Sequence, residues 1–396
     1  MTDTLPKNQV LVLGLGGAGG RVVETLSRLP EAAGIKLSVF DTDQNALERL
    51  TLPDDDCKVL CDNQWLLGQG TGGDTIKGQR AMTRESHRLQ GLISQASLLI
   101  VVGGLGGGTA TGGAGVISRL ARSMGNTAVF LFELPFAFEG HGRVKAAEDG
   151  LRGLLALSDT VLGIPNDLLF SVLPSEVSFA DAFKMADMEL ARATLGLIDI
   201  LRPGNLLSSD LGDLVSVLKN RKSYAAIGVG CGKSSDVGEA CTQALANLLD
   251  SPFLGGAAKL KDADAVIINL TGGENLTLSE VKRTLASAGS LPGLSARVMI
   301  GANIRQDLTG EVHLTAIAVK YDEREAAVQL SQDAKSPTRR RREKTTRSGE
   351  QPVQQMLPLT ITSSGIFEGK TPTIIDGVNF DIPAFVRNQV PVDTGE

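Results

Sequence analysis

The chain has 396 residues, enough for two domains and a tail, and its net charge of −6 gives no overall basic field to attract nucleic acid. One Trp and two Tyr are too few for the stacking surface that a single-stranded nucleic-acid binder uses. The N-terminus lacks the charged-then-apolar layout of a signal peptide, and no apolar run approaches bilayer-spanning length, so a membrane role is expected only through a partner.

Val10 to Leu13 is an apolar run ending in Gly14 and reads as a buried parallel strand, followed by a helix over Val22 to Leu29. Leu37 to Phe40 gives a second strand, ending at Asp41, and a helical stretch runs from about Asp74 to Gln95. Leu98 to Val102, Ala128 to Phe132 and Val161 to Ile164 read as further strands, with helices over Val116 to Met124 and Gly142 to Leu157 between them. This alternation predicts an α/β fold with a parallel, doubly wound sheet. Phe179 to Leu201 is one long helix stopped by Pro203 and Gly204, placed to bridge two domains. Beyond it, Ala225 to Gly230, Ala265 to Leu270, Val298 to Ala302 and Val312 to Lys320 read as strands, with helices at Val237 to Leu249 and Leu278 to Ala288. They predict a second, smaller α/β domain.

From about Asp322 the pattern decays, and the polar, basic stretch Ser336 to Gly349 is expected to be a disordered linker. The domain reading is therefore 1–175, a central helix at 176–202, a C-terminal domain at 203–321, a linker at 322–373 and a tail peptide at 374–396. The run Arg339 to Arg342 reads as a solvated linker that could touch acidic lipid or DNA weakly. The four cysteines, Cys57, Cys61, Cys231 and Cys241, match no zinc spacing and are expected as reduced thiols of a cytosolic protein.

The 46 glycines cluster. Gly14, Gly16 and Gly19 follow a strand and open a helix, with Asp41 ending the next strand, as in a dinucleotide-binding turn. A second loop, Gly103 to Gly113, follows the third strand and offers backbone N–H groups and the hydroxyls of Thr109 and Thr111 to a polyphosphate. A dinucleotide enzyme has no use for a second cradle after a later strand, whereas a nucleoside triphosphate lying across the strand ends does. A third loop, Gly68 to Gly73, could reach the terminal phosphate. Gly228 to Ser234 is a decoy: the phosphate-loop pattern needs four residues between its glycines, and here there are three.

The run Gly106 to Gly112 resembles the tubulin/FtsZ signature, with Ala110 in place of one glycine. Pro135, Phe136, Phe138, Glu139, Gly140 and Arg143 resemble the next FtsZ block, Ile164 to Asp167 the one after, and Asp181, Ala182, Phe183, Ala186 and Asp187 the start of the family's central helix. The likeness covers about residues 9 to 320 and the tail. It implies a cytoplasmic GTPase that assembles head to tail with copies of itself, scaffolds the division ring at mid-cell, and uses GTP or GDP with Mg²⁺. It implies that Gly16, Gly17, Gly19, Gly20, Gly106, Gly107, Gly108 and Thr109 hold the phosphates and that Glu139 and Arg143 contact the sugar and phosphate region. Phe183 would stack on the base, and Asn166 and Asp187 would read its edge. Guanine shows N1–H and N2–H side by side and a carboxylate accepts both, whereas adenine has no donor at N1.

The segment Leu206 to Asp213 resembles the family's loop that enters the next subunit's nucleotide site, so Asp210 and Asp213 would polarise the attacking water there. Asp381, Ile382, Pro383, Ala384, Phe385, Val386 and Arg387 resemble the FtsZ C-terminal peptide. The resemblance implies that Asp381, Ile382, Pro383, Phe385 and Arg387 bind a membrane-tethering adaptor and division regulators. Ile382 and Phe385 are spaced as an amphipathic anchor requires. The chain departs from the family at Arg21, where Asn is usual, at Glu133 in place of Thr, and at Ser208 in place of Asn. These departures bear on turnover and filament geometry. Two alternatives stand beside the GTPase: an FtsZ-like filament protein with weak hydrolysis, and an NAD-dependent oxidoreductase, for which His87, His141 and His313 carry no catalytic motif.

Overall fold

Gln9–Leu15 (β1) is apolar at nearly every position because both of its faces are covered. The computed structural model describes residues 9–52, 57–158, 161–171, 176–201, 223–306, 308 and 310–321, with the short strands at 374–375 and 378–379. In chain order β1 is followed by α1 (Gly16–Ser27), β2 (Lys36–Asp41), α2 (Gln44–Arg49), β3 (Lys58–Leu60), α3 (Asn63–Leu66), α4 (Thr75–Arg84) and α5 (Ser86–Gln95). Then come β4 (Ala96–Gly104), α6 (Gly108–Ser123), β5 (Thr127–Leu134), α7 (His141–Leu155) and β6 (Val161–Pro165). The sheet runs β3-β2-β1-β4-β5-β6 and every neighbouring pair is parallel.

The two-residue period of a strand divides its side chains between two cores. Leu11, Leu13, Leu99, Val101, Phe130 and Phe132 face α4, α5 and α6, whereas Val12, Ile100, Val102, Val129 and Leu131 face α1 and the long helix α8 (Phe179–Leu201). This is the doubly wound sheet that the sequence predicts. Its strand order reverses direction between β1 and β4, where open α/β sheets leave a crevice at the strand ends.

The smaller sheet comprises β7 (Ser223–Lys233), β8 (Ala265–Gly272), β9 (Arg297–Ile304) and β10 (Glu311–Tyr321), with α9 (Val237–Leu249), α10 (Gly256–Asp262) and α11 (Leu278–Gly289). Its order is β7-β10-β8-β9, parallel only between β8 and β9. One face, through Val266, Ile268, Ala316 and Ala318, packs with α9 and α11. The other, through Ile227, Ile267 and Ile317, joins Leu190, Leu197 and Ile198 of α8 in the same core that holds Val22 and Leu26 of α1. The central helix is thus packed on both sides. At its C-terminal end the buried Asp199 meets the buried Arg305 guanidinium at 3.3 Å, and the Asn303 side-chain amide donates to the Asp199 carbonyl.

Several elements differ from the sequence reading. The stretch Asp74 to Gln95 is two helices, broken at Glu85, which closes α4 and opens α5. The glycine-rich run read as a loop to Gly113 becomes helix α6 from Gly108 onward. Glycine is a poor helix former, but here close packing overrides propensity: a Cβ on Gly112 would lie 2.0 Å from the Thr75 carbonyl oxygen of α4. Ala110 therefore sits in a helix and carries no left-handed strain; Asp62 and Leu67 alone among the described non-glycine residues have positive φ. The decoy glycines of β7 serve packing, since a Cβ on Gly230 would meet the Ala244 carbonyl oxygen of α9 at 2.0 Å. The short β3, α2, α3 and α10 carry too few residues for a periodic signal.

Residues Met1–Ser336 form one compact unit and Pro337–Glu396 a second, in which Ile374–Ile375 (β11) pairs antiparallel with Val378–Asn379 (β12). Asp210, Asp213, Ser208 and the tail residues Asp381, Ile382, Pro383, Phe385 and Arg387 lie outside the described residues.

Removing one partner of a buried ion pair strands the other, at a cost of about 3–5 kcal/mol. Asp199→Ala should therefore lower unfolding stability by an amount on that order in urea titration. A loss below about 1 kcal/mol, the range of exposed pairs, would mean that this joint contributes little to the hold between α8 and the smaller sheet.

Candidate functional site

Both helices that leave the β1/β4 crevice begin without a side-chain cap. The N-cap of α1 is Leu15 and that of α6 is Gly107, and neither first turn contains an acid. By contrast α2, α4, α9 and α11 are capped by Asp43, Asp74, Asp236 and Thr277. Two uncapped N-termini leave backbone N–H groups and the positive ends of two helix dipoles beside one cleft, which suits an anion. The cleft is about 640 Å³, a size fitting for a nucleotide-sized ligand.

Of the residues singled out from sequence, Gly16, Gly17, Gly107, Gly108, Thr109, Glu139, Arg143 and Phe183 line this cleft. Gly19, Gly20 and Gly106 support it from behind. A Cβ on Gly19 would sit 2.6 Å from the Val102 carbonyl oxygen, so this glycine lets α1 lie against β4. Gly106 has φ +96°, which a side chain would strain, and its N–H donates to Thr111 Oγ1 at 2.9 Å. The Gly68 to Gly73 loop contributes no lining residue; its Thr71 packs against Gly108.

At the glycine end, the Thr109 hydroxyl lies 2.8 Å from the Thr42 hydroxyl and donates weakly, at 3.5 Å, to Asp41 Oδ1. Asp41 is buried, and loss of hydration pushes its carboxyl up to about 6 despite hydrogen bonds from the Thr42 and Asp43 N–H groups. Its Oδ1 accepts from its own turn and from Thr109 of α6. The other end is aromatic. Phe183 meets Phe136 edge-on at 5.4 Å and Phe179 at 4.9 Å, while Phe138 stacks on Phe136 at 4.9 Å. Glu139 is already used: one oxygen accepts from the Phe136 N–H at 2.9 Å and the other pairs with Arg143 at 3.1 Å.

Asp187 lies one helical turn beyond Phe183 and is 4 % exposed; neither it nor the equally buried Asn166 lines the cleft. Between Asp187 and the cleft stands Arg21, whose Nε donates to Asp187 Oδ2 at 2.7 Å. Behind this pair, Glu133 is buried. Burial first, then the charge of Asp187, pushes its carboxyl up to about 8, against the opposing charge of Arg21 and a hydrogen bond with Asn166. Burial likewise raises Asp187, opposed by Arg21. For Arg21, burial pulls the guanidinium down, but Asp187, Glu133 and Glu139 outweigh it. Asp187 Oδ1, Asn166 Oδ1 and Glu133 Oε1 have no hydrogen-bond partner among the described residues. Arg21 and Glu133 are the positions at which the sequence departs from the family pattern. Their meeting with Asp187, across 166 residues of chain in the case of Arg21, is not visible in one sequence.

The order of strands, the paired glycine turns and the aromatic helix at the far wall coincide with a known family. Residues 9–174 match the Tubulin/FtsZ family GTPase domain and residues 223–322 the FtsZ family C-terminal domain. The cell division protein FtsZ 1 of Methanocaldococcus jannaschii is 31% identical over 311 residues, 78% of this chain and 82% of that protein. The chain belongs to the tubulin/FtsZ family. A structure described as an empty FtsZ dimer from M. jannaschii superposes on this FtsZ-family chain with a TM-score of 0.65 at 31% identity, covering 79% of this chain and 88% of that one. CetZ2 from Haloferax volcanii, described as a GTPγS-bound protofilament, shares the fold with a TM-score of 0.61 at 22% identity, covering 83% and 100%.

Glu133 yields a pH test. Its folded-state value, about 8, lies above its ordinary 4.5, so between these values the folded chain holds a proton that the unfolded chain has released. Stability from this group is complete below about pH 4.5 and is lost as pH rises towards 8. Glu133→Gln removes the titration. The melting temperature of this variant relative to the parent should climb from pH 5 to pH 8; a constant difference would show that Glu133 is ionised throughout.

Proposed function

We propose that this FtsZ-family chain is a GTPase that polymerises head to tail and scaffolds the cytokinetic ring, with hydrolysis completed by the neighbouring copy. The observation that carries this reading is the chemistry of the cleft wall. Among the described lining residues Glu139 is the one carboxylate, and both of its oxygens are engaged. The wall can hold a triphosphate on the uncapped starts of α1 and α6, but among the described residues it offers no free base to orient a water. Phosphoryl transfer needs such a group. Asp210 and Asp213, supplied by the next subunit, would serve. The M. jannaschii FtsZ dimer, at 31% identity, supports self-association.

Mg²⁺ would neutralise the terminal phosphates. The Thr109 hydroxyl, with Asp41 behind it, is an oxygen donor at that end of the cleft. The C-terminal peptide, through Asp381, Ile382, Pro383, Phe385 and Arg387, would dock on a membrane-tethering adaptor, placing the polymer at the division site. No described helix is long and apolar enough to cross a membrane.

Light scattering and phosphate release with GTP and Mg²⁺, measured over a range of protein concentrations, test this reading. Specific activity should rise with concentration as subunits complete one another's sites. Asp213→Asn should retain the parent's GTP affinity and lose turnover by about 100-fold, the scale of a lost water-activating group. Equal activity per molecule at all concentrations, from material that stays monomeric, would exclude catalysis across the contact. Filaments with negligible phosphate release would instead favour the slow-turnover filament protein.

A further inference from the structure

Resting on the nucleotide reading above, we infer that Arg21 is the residue that determines base specificity in this chain, reading the acceptor atoms of the base at position 6 while Asp187 holds its guanidinium in place.

Three observations meet here. The Arg21 side chain lines the cleft at the wall that also carries Phe179 and Phe183, the faces on which a base would stack. Asp187 does not line the cleft, and one of its oxygens accepts the Arg21 Nε–H at 2.7 Å. The remaining acceptors at this end, Asp187 Oδ1, Asn166 Oδ1 and Glu133 Oε1, are all buried.

A carboxylate facing the cleft would select donors, the N1–H and N2–H of guanine. With a guanidinium in front of it, the wall presents donors instead. Nε is engaged, but Nη1 and Nη2 carry four further N–H groups, and Nη1 lies over the start of α1 near Gly17. Arginine pairs well with the O6 and N7 acceptors of guanine, a contact worth ~1–3 kcal/mol of discrimination. Adenine offers an amine at position 6, whose hydrogens would face the guanidinium. The amine at position 2, central to a donor-reading carboxylate, becomes irrelevant.

Hypoxanthine separates the two modes, because it keeps O6, N7 and N1–H and lacks only that amine. Isothermal titration of the full-length protein with GDP, IDP and ADP, none of which carries a γ-phosphate to be hydrolysed, reads them out. IDP should bind within threefold of GDP, and ADP should bind at least tenfold more weakly. IDP more than threefold weaker than GDP, or ADP within tenfold of GDP, would overturn the inference while leaving a nucleotide site standing. Absence of binding by all three diphosphates would remove the nucleotide reading itself and this inference with it. A variant adds a reversal that a merely structural arginine would not produce. Arg21→Met keeps the aliphatic stem, removes every donor and uncovers Asp187, so GDP should then exceed IDP by at least fivefold. An unchanged ratio in folded Arg21→Met would also count against the assignment; the parent panel stands whether or not the variant folds.

Discussion

The side-by-side placement of β1 and β4 governs the rest of this molecule. Because the sheet is parallel and doubly wound, the chain leaves these two neighbours towards opposite faces. The starts of α1 and α6 are therefore left together at the carboxyl edge. Neither start is capped by its own side chains, so both bring unsatisfied N–H groups to the same place. The small residues around them follow from that demand. Gly19 admits α1 to the surface of β4, and Gly112 admits α4 to α6. The anion site is a by-product of backbone geometry more than of any side chain.

The second organising element is α8. Its first turns carry Phe183 and Asp187 to the cleft's aromatic end, and its last turn buries Asp199 against Arg305 beside β9. The twelve-residue step from Asp187 to Asp199 spans about 18 Å of rigid helix. Because its two flanks belong to a single core, the smaller sheet and the nucleotide edge share one strut. A shift at either end has to be accommodated by repacking Leu190, Leu197 and Ile198.

Much of this was legible in the sequence where a physical pattern is long. Phe179–Leu201 and Val237–Leu249 have the bounds read from apolar periodicity. Five of the six described strands of the large sheet, all but the short β3, stood out because burial on both faces makes them continuously apolar. Illegible were features that depend on contacts distant in sequence. The start of α6 looked like a loop because Gly108 to Gly113 gives no local reason to be helical; the reason is the close surface of α4. That Gly19 and Gly20 also make room for Val102 and Leu50 was not legible from the glycine spacing. The composition at Arg21 and Glu133 was visible, but not that both converge on Asp187.

The Arg21–Asp187 pair also has an evolutionary consequence. Reverting Arg21 alone to the Asn usual in the family would strand a buried carboxylate, with Glu133 close behind it. Changing Asp187 alone would leave the cation facing the cleft without its anchor. Arg21 and Glu133, the two departures, are therefore expected to change together around a constant Asp187.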